Sequence, residues 1–330
     1  MAMNDRGLSV LESYDLKVLR TYRGRGAIIC ETNQGLKILR EFSGSVQKAN
    51  IQNDLLIHMK EHEGIQVDCY VKNVEGGILS YDRDRGVYTL KDWFDGKECD
   101  VKSPEEIGKA VINLAKLHKV MNLSYGESTI GKAVPIRDEY KKHTKELKKV
   151  KQYIRNKSQK SNFEIYFLKC FEIFYEQAIQ IQKLMDAWDD KSYLEKIENN
   201  GQLGHGDYNY HNIIMEKKGI ATINFEKFSL DSGVKDLYQF MRKILEKNNW
   251  NQDRSMVMLD MYQKERELGK EEMKSLWLRL AYPEKFWKLS NYYYNSRKSW
   301  IPEKSSEKLR NLVEQEEAKR NLVEKLSSHI

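Results

Sequence analysis

The chain has 330 residues, 40% hydrophobic and 32% charged, with 56 Lys and Arg against 49 Asp and Glu. That is long for one compact core, so two lobes are expected, and the charged fraction suits a soluble globular protein. The net charge of +7 is spread too thinly to mark a nucleic-acid binder, although it favours anionic ligands. No apolar run approaches the length of a membrane span, and the N-terminus MAMNDRGLSV lacks the regions of a signal peptide. Cys30, Cys69, Cys99 and Cys170 have no metal-like spacing and read as separate, reduced thiols of a cytoplasmic protein.

Short β-prone runs come first: Leu16–Tyr22, Ala27–Thr32 and Leu36–Phe42, broken by Gly24 and Gly26 and then by Asn33-Gln34-Gly35. A helix is predicted next, because Ile51, Leu55, Leu56 and Met59 recur on one face. Gly77–Tyr81 and Gly86–Leu90 form a predicted hairpin over Asp82-Arg83-Asp84-Arg85, and the stretch from Lys91 to Gly96 reads as a connector. Ser103-Pro104 opens a helix, with Ser103 as cap and Pro104 in the first turn. Two long helical segments follow, a Lys-rich and solvated Arg137–Lys157 and an aromatic-rich Asn162–Trp188. Strands return only around Gln202–Gly204, Ile213–Met215 and Ile220–Ile223. From Val234 onward the pattern is helical, punctuated by Pro283 and Pro302, and the echo of Arg310–Glu314 in Arg320–Glu324 reads as one helix, not a repeat.

The small β island carries the chemistry. His205-Gly206-Asp207 is followed five residues later by Asn212. Phosphoryl transfer needs alignment and charge neutralisation more than covalent help. Asp207 is suited to accept a hydroxyl proton, and Asn212 offers an amide oxygen to Mg²⁺. Gly206 permits a sharp turn, and His205 would brace the loop. An Asx-rich turn explains the same letters, and the residue types alone leave the two readings level. The context favours the catalytic loop: a hairpin over Glu216–Gly219, an apolar strand ending at Asn224, and Asp236-Leu237 opening a helix. Asp236 would receive backbone N–H groups of the loop, a structural task.

HGDYNYHNII, INFEKF and DLYQF resemble the aminoglycoside phosphotransferase and choline kinase branch of the protein-kinase-like fold. Within that branch the chain resembles the CotS/CotI group of spore-coat-associated kinase-like proteins, with GLKILREF, GVYTLKDWFDGKECD and NYYYNSRKSWIPEK in agreement. The resemblance implies an α+β, two-lobed fold: an antiparallel-sheet nucleotide-binding lobe at 1–92, a hinge at 93–96, and a helical lobe at 97–330 holding the catalytic loop and acceptor region. It implies ATP and Mg²⁺ as cofactors, Asp207 as catalytic aspartate and Asn212 as metal-binding asparagine. Phe94 and Asp95 fall in the hinge that contacts the adenine edge through its backbone. Arg23-Gly24-Arg25-Gly26 matches the loop over the nucleotide phosphates; a plain hairpin turn with a solvated basic tip is the equal alternative.

Two positions depart from the family. The strand Leu36–Arg40 is where the family carries a phosphate-binding lysine, and alternation sets Arg40 on one face and Lys37 on the other. Arg40 meets the phosphates if Ile38 lines the cleft; a shift of one residue restores Lys37. At the family's metal-binding aspartate this chain has Asn224, a neutral oxygen where a hard divalent cation favours carboxylate. Glu226, two residues on, is the candidate to compensate as a metal ligand.

Weak or absent Mg·ATP turnover is therefore expected, with nucleotide binding retained. An active phosphotransferase on a small hydroxylated acceptor is the alternative, and a purely structural component held by contacts with other spore coat proteins is the second. The chain would be made in the mother-cell cytoplasm and assembled into the coat. Trp287, Tyr293 and Trp300 belong to an aromatic cluster that suits a cationic acceptor pocket, although core packing between helices is the favoured reading.

Overall fold

The first three predicted strands form an antiparallel meander, β1 (Val18–Gly24), β2 (Ala27–Thr32) and β3 (Gly35–Glu41). The structure is a computed structural model that describes residues 7–123, 130–217, 219–296 and 303–328. With β5 (Ser80–Tyr81) and β6 (Val87–Asp92) the sheet has the order β1-β2-β3-β6-β5, each neighbouring pair antiparallel. Register decides which residues share a face. Leu39 lies opposite Leu90, and both are buried with Val10, Leu11, Tyr14, Cys30 and Tyr88. The alternate positions pair Ile38 with Lys91 and Arg40 with Thr89 on the other face. Helix α1 (Val46–Lys60) starts at Ser45, whose hydroxyl accepts the Lys48 N–H, and buries Ile51, Leu55, Leu56 and Met59.

A smaller sheet has the order β4-β10-β9-β7, formed by β4 (Gln66–Val67), β7 (Lys97–Glu98), β9 (Ile213–Met215) and β10 (Ile220–Thr222), while β8 (Leu203–Gly204) leads into the His205 loop. Sequence reading anticipates β9 and β10 but not β4 and β7, whose two residues each carry no periodic signal. Helix α2 (Pro104–Val120) is capped by Ser103 as expected, and its Asn113 amide donates to Tyr208 Oη and Thr222 Oγ1 at 3.1 and 2.9 Å.

The chain forms two compact units, Met1–Gly131 with Asn200–Ser229, and Lys132–Asn199 with Leu230–Ile330. The β9–β10 hairpin pairs with β4 and β7, so the small β island belongs with the strands that precede it.

The second unit is helical: α3 (Ile136–Arg155), α4 (Asn162–Asp186), α5 (Lys191–Asn199), α6 (Val234–Leu245), α7 (Gln252–Glu265), α8 (Lys270–Ala281), α9 (Glu284–Asn295), α10 (Glu303–Glu314) and α11 (Glu316–Ser327). In α3, Tyr140, Leu147, Val150 and Ile154 are buried while Lys141, Lys145, Lys148 and Lys149 face solvent. Phe286 of α9 stacks on Phe167 and Phe174 of α4. The C-terminal echo lies on two helices interrupted at Gln315, not on one. Each buries its own apolar residues, Leu309 on α10 and Leu322 and Leu326 on α11. No helix of the described residues is long and apolar enough to cross a membrane. The four cysteines are unpaired, and burial pushes each thiol up, to about 12 at Cys99.

Glu284, in the first turn of α9, lies 3.3 Å from His143 Nδ1 and 3.2 Å from Lys288 Nζ. Burial pushes its carboxyl up, but His143, Lys288 and Arg242 outweigh that and hold it at about 2, against an ordinary value of 4.5. The folded value is the lower one, so the stabilisation is complete above the ordinary value and lost as pH falls through about 2. Glu284→Gln should cost on the order of 3 kcal/mol at neutral pH. It should also flatten the loss of stability between about pH 5 and 2, read from denaturant unfolding across that range.

Candidate functional site

Strand pairing in the small sheet assembles the site. Thr222 pairs with Val67 in the parallel direction, which sets Ile223-Asn224 beside Asp68. Thr222 also pairs with Ile213, so Asn212 comes opposite Ile223, whose N–H donates to the Asn212 carbonyl at 3.0 Å. Glu98 lies across from Ile214 on the remaining strand. Residues distant in sequence thus meet because four very short strands align.

The loop from His205 to Asn212 is held from within. His205 is fully buried, and its Nδ1 accepts the Asp207 N–H at 3.1 Å. That leaves Nε2 protonated and 3.0 Å from the Ile223 carbonyl, to which it donates. Gly206 has φ +79°, and a Cβ there would stand 2.0 Å from the Lys227 carbonyl oxygen. The Asp207 carbonyl accepts the side-chain amides of Asn209 and Asn212 at 2.8 and 2.9 Å. The Asp207 carboxylate accepts from Asn209 Nδ2 at 2.9 Å and from Lys227 Nζ at 2.8 Å, and remains 31% exposed.

Asn224 stands at the centre. Its backbone is left-handed, φ +67°, a conformation that Asn adopts more readily than most residues. Its N–H donates to Asp68 Oδ2 at 3.1 Å and its Nδ2 to Asn212 Oδ1 at 2.8 Å. Its Oδ1 accepts from Arg40 Nη1 at 2.6 Å. Arg40 therefore faces the site, while Lys37 is turned to the other face and pairs with Asp92 at 2.8 Å. Beside Arg40 on the sheet, buried Lys91 lies 3.1 Å from Glu226 and 3.4 Å from Asp68. Burial pushes the Asp68 carboxyl up against the pull of Lys91. Burial also lowers the Lys91 ammonium, but Asp68 and Glu226 outweigh it and hold Lys91 above its ordinary value. At Glu226 burial acts upward, and Lys91 and Arg40 bring the carboxyl below its usual range.

The candidates for Mg²⁺, Asn212 and Asn224 at the family's metal positions and Glu226 as the compensating acid, are thus all engaged. Both amide oxygens already accept N–H donors, one of them from a guanidinium, and Glu226 is paired with Lys91. Mg²⁺ requires near-octahedral oxygen ligands at about 2.0–2.1 Å. A neutral, donor-occupied pair of amides does not fit it. Among the described residues no group of three His, Cys, Asp or Glu is placed to hold a metal ion.

The loop between β1 and β2 is tied down. Arg25, at φ +53°, donates to the His211 carbonyl at 2.8 Å and pairs with Glu98 at 2.8 Å; Glu98 also meets His211 Nδ1. Arg23 is exposed on β1. In the 93–96 segment, Trp93 and Phe94 pack on Ile214, Ala221 and Ile223, and Trp93 has the guanidinium carbons of Arg25 and Arg40 at 5.5 and 6.0 Å from its ring. Asp95 is exposed, with its backbone N–H on Glu216.

The remaining expected residues lie in the helical unit. Asp236 is buried in the first turn of α6. Asp231 accepts the N–H groups of Gly233 and Lys235 at 2.8 and 3.3 Å, capping that helix. Trp287 stacks on His143 at 3.4 Å and donates to Glu146; Tyr293 packs on Phe163 and donates to Glu164. Trp300 lies outside the described residues. Sequence reading missed Asp68, Lys91, Trp93, Glu98, His211 and Lys227. Lys91 carries one faint signal, its place directly after the β-prone run Val87–Leu90; Asp68 carries none.

An antiparallel sheet with one helix, an Asp–Asn loop on a small adjoining sheet and a helical remainder define the kinase-like fold of the aminoglycoside phosphotransferases and choline kinases. The family model described as "Spore coat putative kinase YutH" matches residues 8–326, and the chain belongs to that family. It is similar to Spore coat protein S of Bacillus subtilis (strain 168), 24% identical over 322 residues, which span 92% of this chain and 87% of that protein. Among solved structures it is similar to an aminoglycoside phosphotransferase from Alicyclobacillus acidocaldarius, with TM-score 0.86 and 17% identity over 98% of this chain and 95% of that one. It is also similar to spectinomycin phosphotransferase in complex with ADP and spectinomycin, with TM-score 0.67 and 12% identity over 95% and 97%. At these identities the structural likeness is one of fold.

Gly206 and Gly26 offer a contrast between a crowded and an open left-handed position. Gly26, at φ +69°, has nothing within 4 Å of a built Cβ. Gly26→Ala should cost about 1–2 kcal/mol, the backbone strain alone. Gly206→Ala adds the clash with the Lys227 carbonyl and should cost at least about 3 kcal/mol. Chemical denaturation of the two variants checks the ordering.

Proposed function

We propose that this chain is a spore-coat-associated kinase-like protein whose phosphoryl transfer is weak or lost, while its cleft still takes a phosphate-bearing ligand such as a nucleotide. Coat association is supported by the family and by the likeness to Spore coat protein S. It implies synthesis in the mother-cell cytoplasm and assembly with other coat proteins. The loss of transfer rests on one observation: the family's metal carboxylate is an amide, Asn224, whose oxygen is hydrogen-bonded to Arg40. Without a charged ligand there, a divalent ion has no strong hold between the phosphates.

A second reading, a small-molecule O-phosphotransferase, draws on Asp207. Its carboxylate is partly open and aimed by Asn209 and Lys227. In that reading an acceptor hydroxyl attacks the terminal phosphorus of ATP, the bond to the ADP oxygen breaks, and Asp207 takes the hydroxyl proton. A third reading, a coat component that needs no catalysis, draws on the Arg25 tether, which occupies the loop matched to the nucleotide phosphates.

Turnover of Mg·ATP by the wild-type chain should fall below the ordinary kinase range of about 1–100 s⁻¹. Asn224→Asp should raise that residual rate at least about tenfold, as expected for a restored metal ligand. Wild-type turnover within the ordinary range, abolished in Asp207→Ala, would establish the active phosphotransferase instead.

A further inference from the structure

We infer that the cleft formed by Arg40, Asn212 and Asn224 binds the phosphate groups of its ligand without a divalent cation, the guanidinium of Arg40 supplying the charge that a metal would bring. This deepens the preceding proposal and rests on its claim that the cleft takes a phosphate-bearing ligand.

The charged side chains around the cleft differ in what they face. Asp207 is paired with Lys227, and Asp68 and Glu226 with Lys91. Arg40 differs. Its close hydrogen bond goes to the neutral oxygen of Asn224, at 2.6 Å, and among the described residues it forms no salt bridge within 4.0 Å. Its buried Nε–H has no hydrogen-bond partner. The guanidinium is therefore oriented but not saturated with acceptors; it feels the Glu226 carboxylate without pairing with it, and an unmet buried donor is costly.

The identity of residue 224 accounts for this state. An aspartate at that position would set a negative charge against Arg40, which offsets the guanidinium or holds a cation beside it. The amide instead accepts one N–H of the guanidinium and passes its own N–H to Asn212 Oδ1. That leaves the positive charge available to a third party. A guanidinium presents parallel N–H donors that match two oxygens of a phosphate. A divalent ion would have to approach a fixed positive charge, break both amide hydrogen bonds, and gain two neutral ligands. A phosphate meets the opposite conditions: a cation held in no ion pair, and a guanidinium that still lacks an acceptor.

The ligand class is a polyphosphate anion, and its two sources are a nucleoside triphosphate and inorganic polyphosphate. Calorimetric titration of the full chain with ATP and, separately, with inorganic tripolyphosphate, each in Mg²⁺ and in EDTA, tests the inference. Wild-type affinity should agree between Mg²⁺ and EDTA within about threefold, less than 1 kcal/mol. Arg40→Ala should weaken binding at least about tenfold in both buffers, with Arg40→Lys recovering part of it. Asn224→Asp should make binding Mg²⁺-dependent by about tenfold or more, and this arm holds even if Arg40→Ala fails to fold.

ATP binding tighter than tripolyphosphate assigns a nucleotide, and equal affinities assign the phosphate chain alone; either supports the inference. Wild-type binding that requires Mg²⁺, or that survives Arg40→Ala unchanged, overturns it and leaves the preceding proposal standing. No binding of either probe in either buffer overturns both.

Discussion

The site depends on one amide side chain. Asn224 receives a guanidinium N–H from the large sheet, donates its side-chain N–H to the loop before β9, and donates its backbone N–H to the acid after β4. Three segments more than ten residues apart in sequence are fastened at this point, each through a different atom. The left-handed backbone of Asn224 makes the geometry available, since it turns the side chain away from the direction that strand β10 would impose. Asparagine suits both requirements at once. It tolerates the conformation, and it is donor and acceptor together, whereas a carboxylate is acceptor only.

Around that amide the ionisable groups are arranged in pairs, and burial makes the pairing of Lys91 with Asp68 strict. Lys91 sits inside the sheet with its ammonium between Asp68 and Glu226 and the Tyr70 ring 4.4 Å away. Removing Asp68 or Lys91, both buried, leaves an uncompensated charge, which costs about 3–5 kcal/mol; Glu226 is half exposed and matters less. This arrangement ties stability to the same residues that define the cleft. It also explains why the proposed ligand chemistry turns on Arg40: it is the cation there whose close partner is neutral. The tether of Arg25 to Glu98 and His211 adds a further contact on the β1–β2 loop, so a ligand entering beneath that loop would compete with contacts within the chain itself.

The sheet strands, the helix starts at Ser45 and Ser103, and the His205–Asp207–Asn212 loop were legible because each is a local code. Alternation, a capping hydroxyl and a turn glycine act over a few residues. The family likeness was legible for the same reason, from short runs that carry chemistry. The partners of those residues were not. Nothing near Asp68 in sequence announces a carboxylate that anchors Asn224, and Lys91 looked like the start of a connector. Even the break at Gln315 escaped, because the echo of Arg310–Glu314 in Arg320–Glu324 has the period of a helix on both sides of the interruption.

What the sequence by itself determined is the class of fold, the identity of the loop residues, and the absence of a carboxylate at position 224. These follow from residue type and near-neighbour spacing, which no packing can alter. Whether Arg40 or Lys37 would face the cleft was open until the register of β3 on β6 set Arg40 beside Thr89 and Lys37 beside Asp92. The same pairing brings the neutral amide into contact with a guanidinium, and Glu226 with Lys91. Those outcomes belong to the tertiary structure alone. They depend on which strand ends meet, and strand pairing at long separation is decided by the packing of the whole sheet, not by the residues that end up in contact.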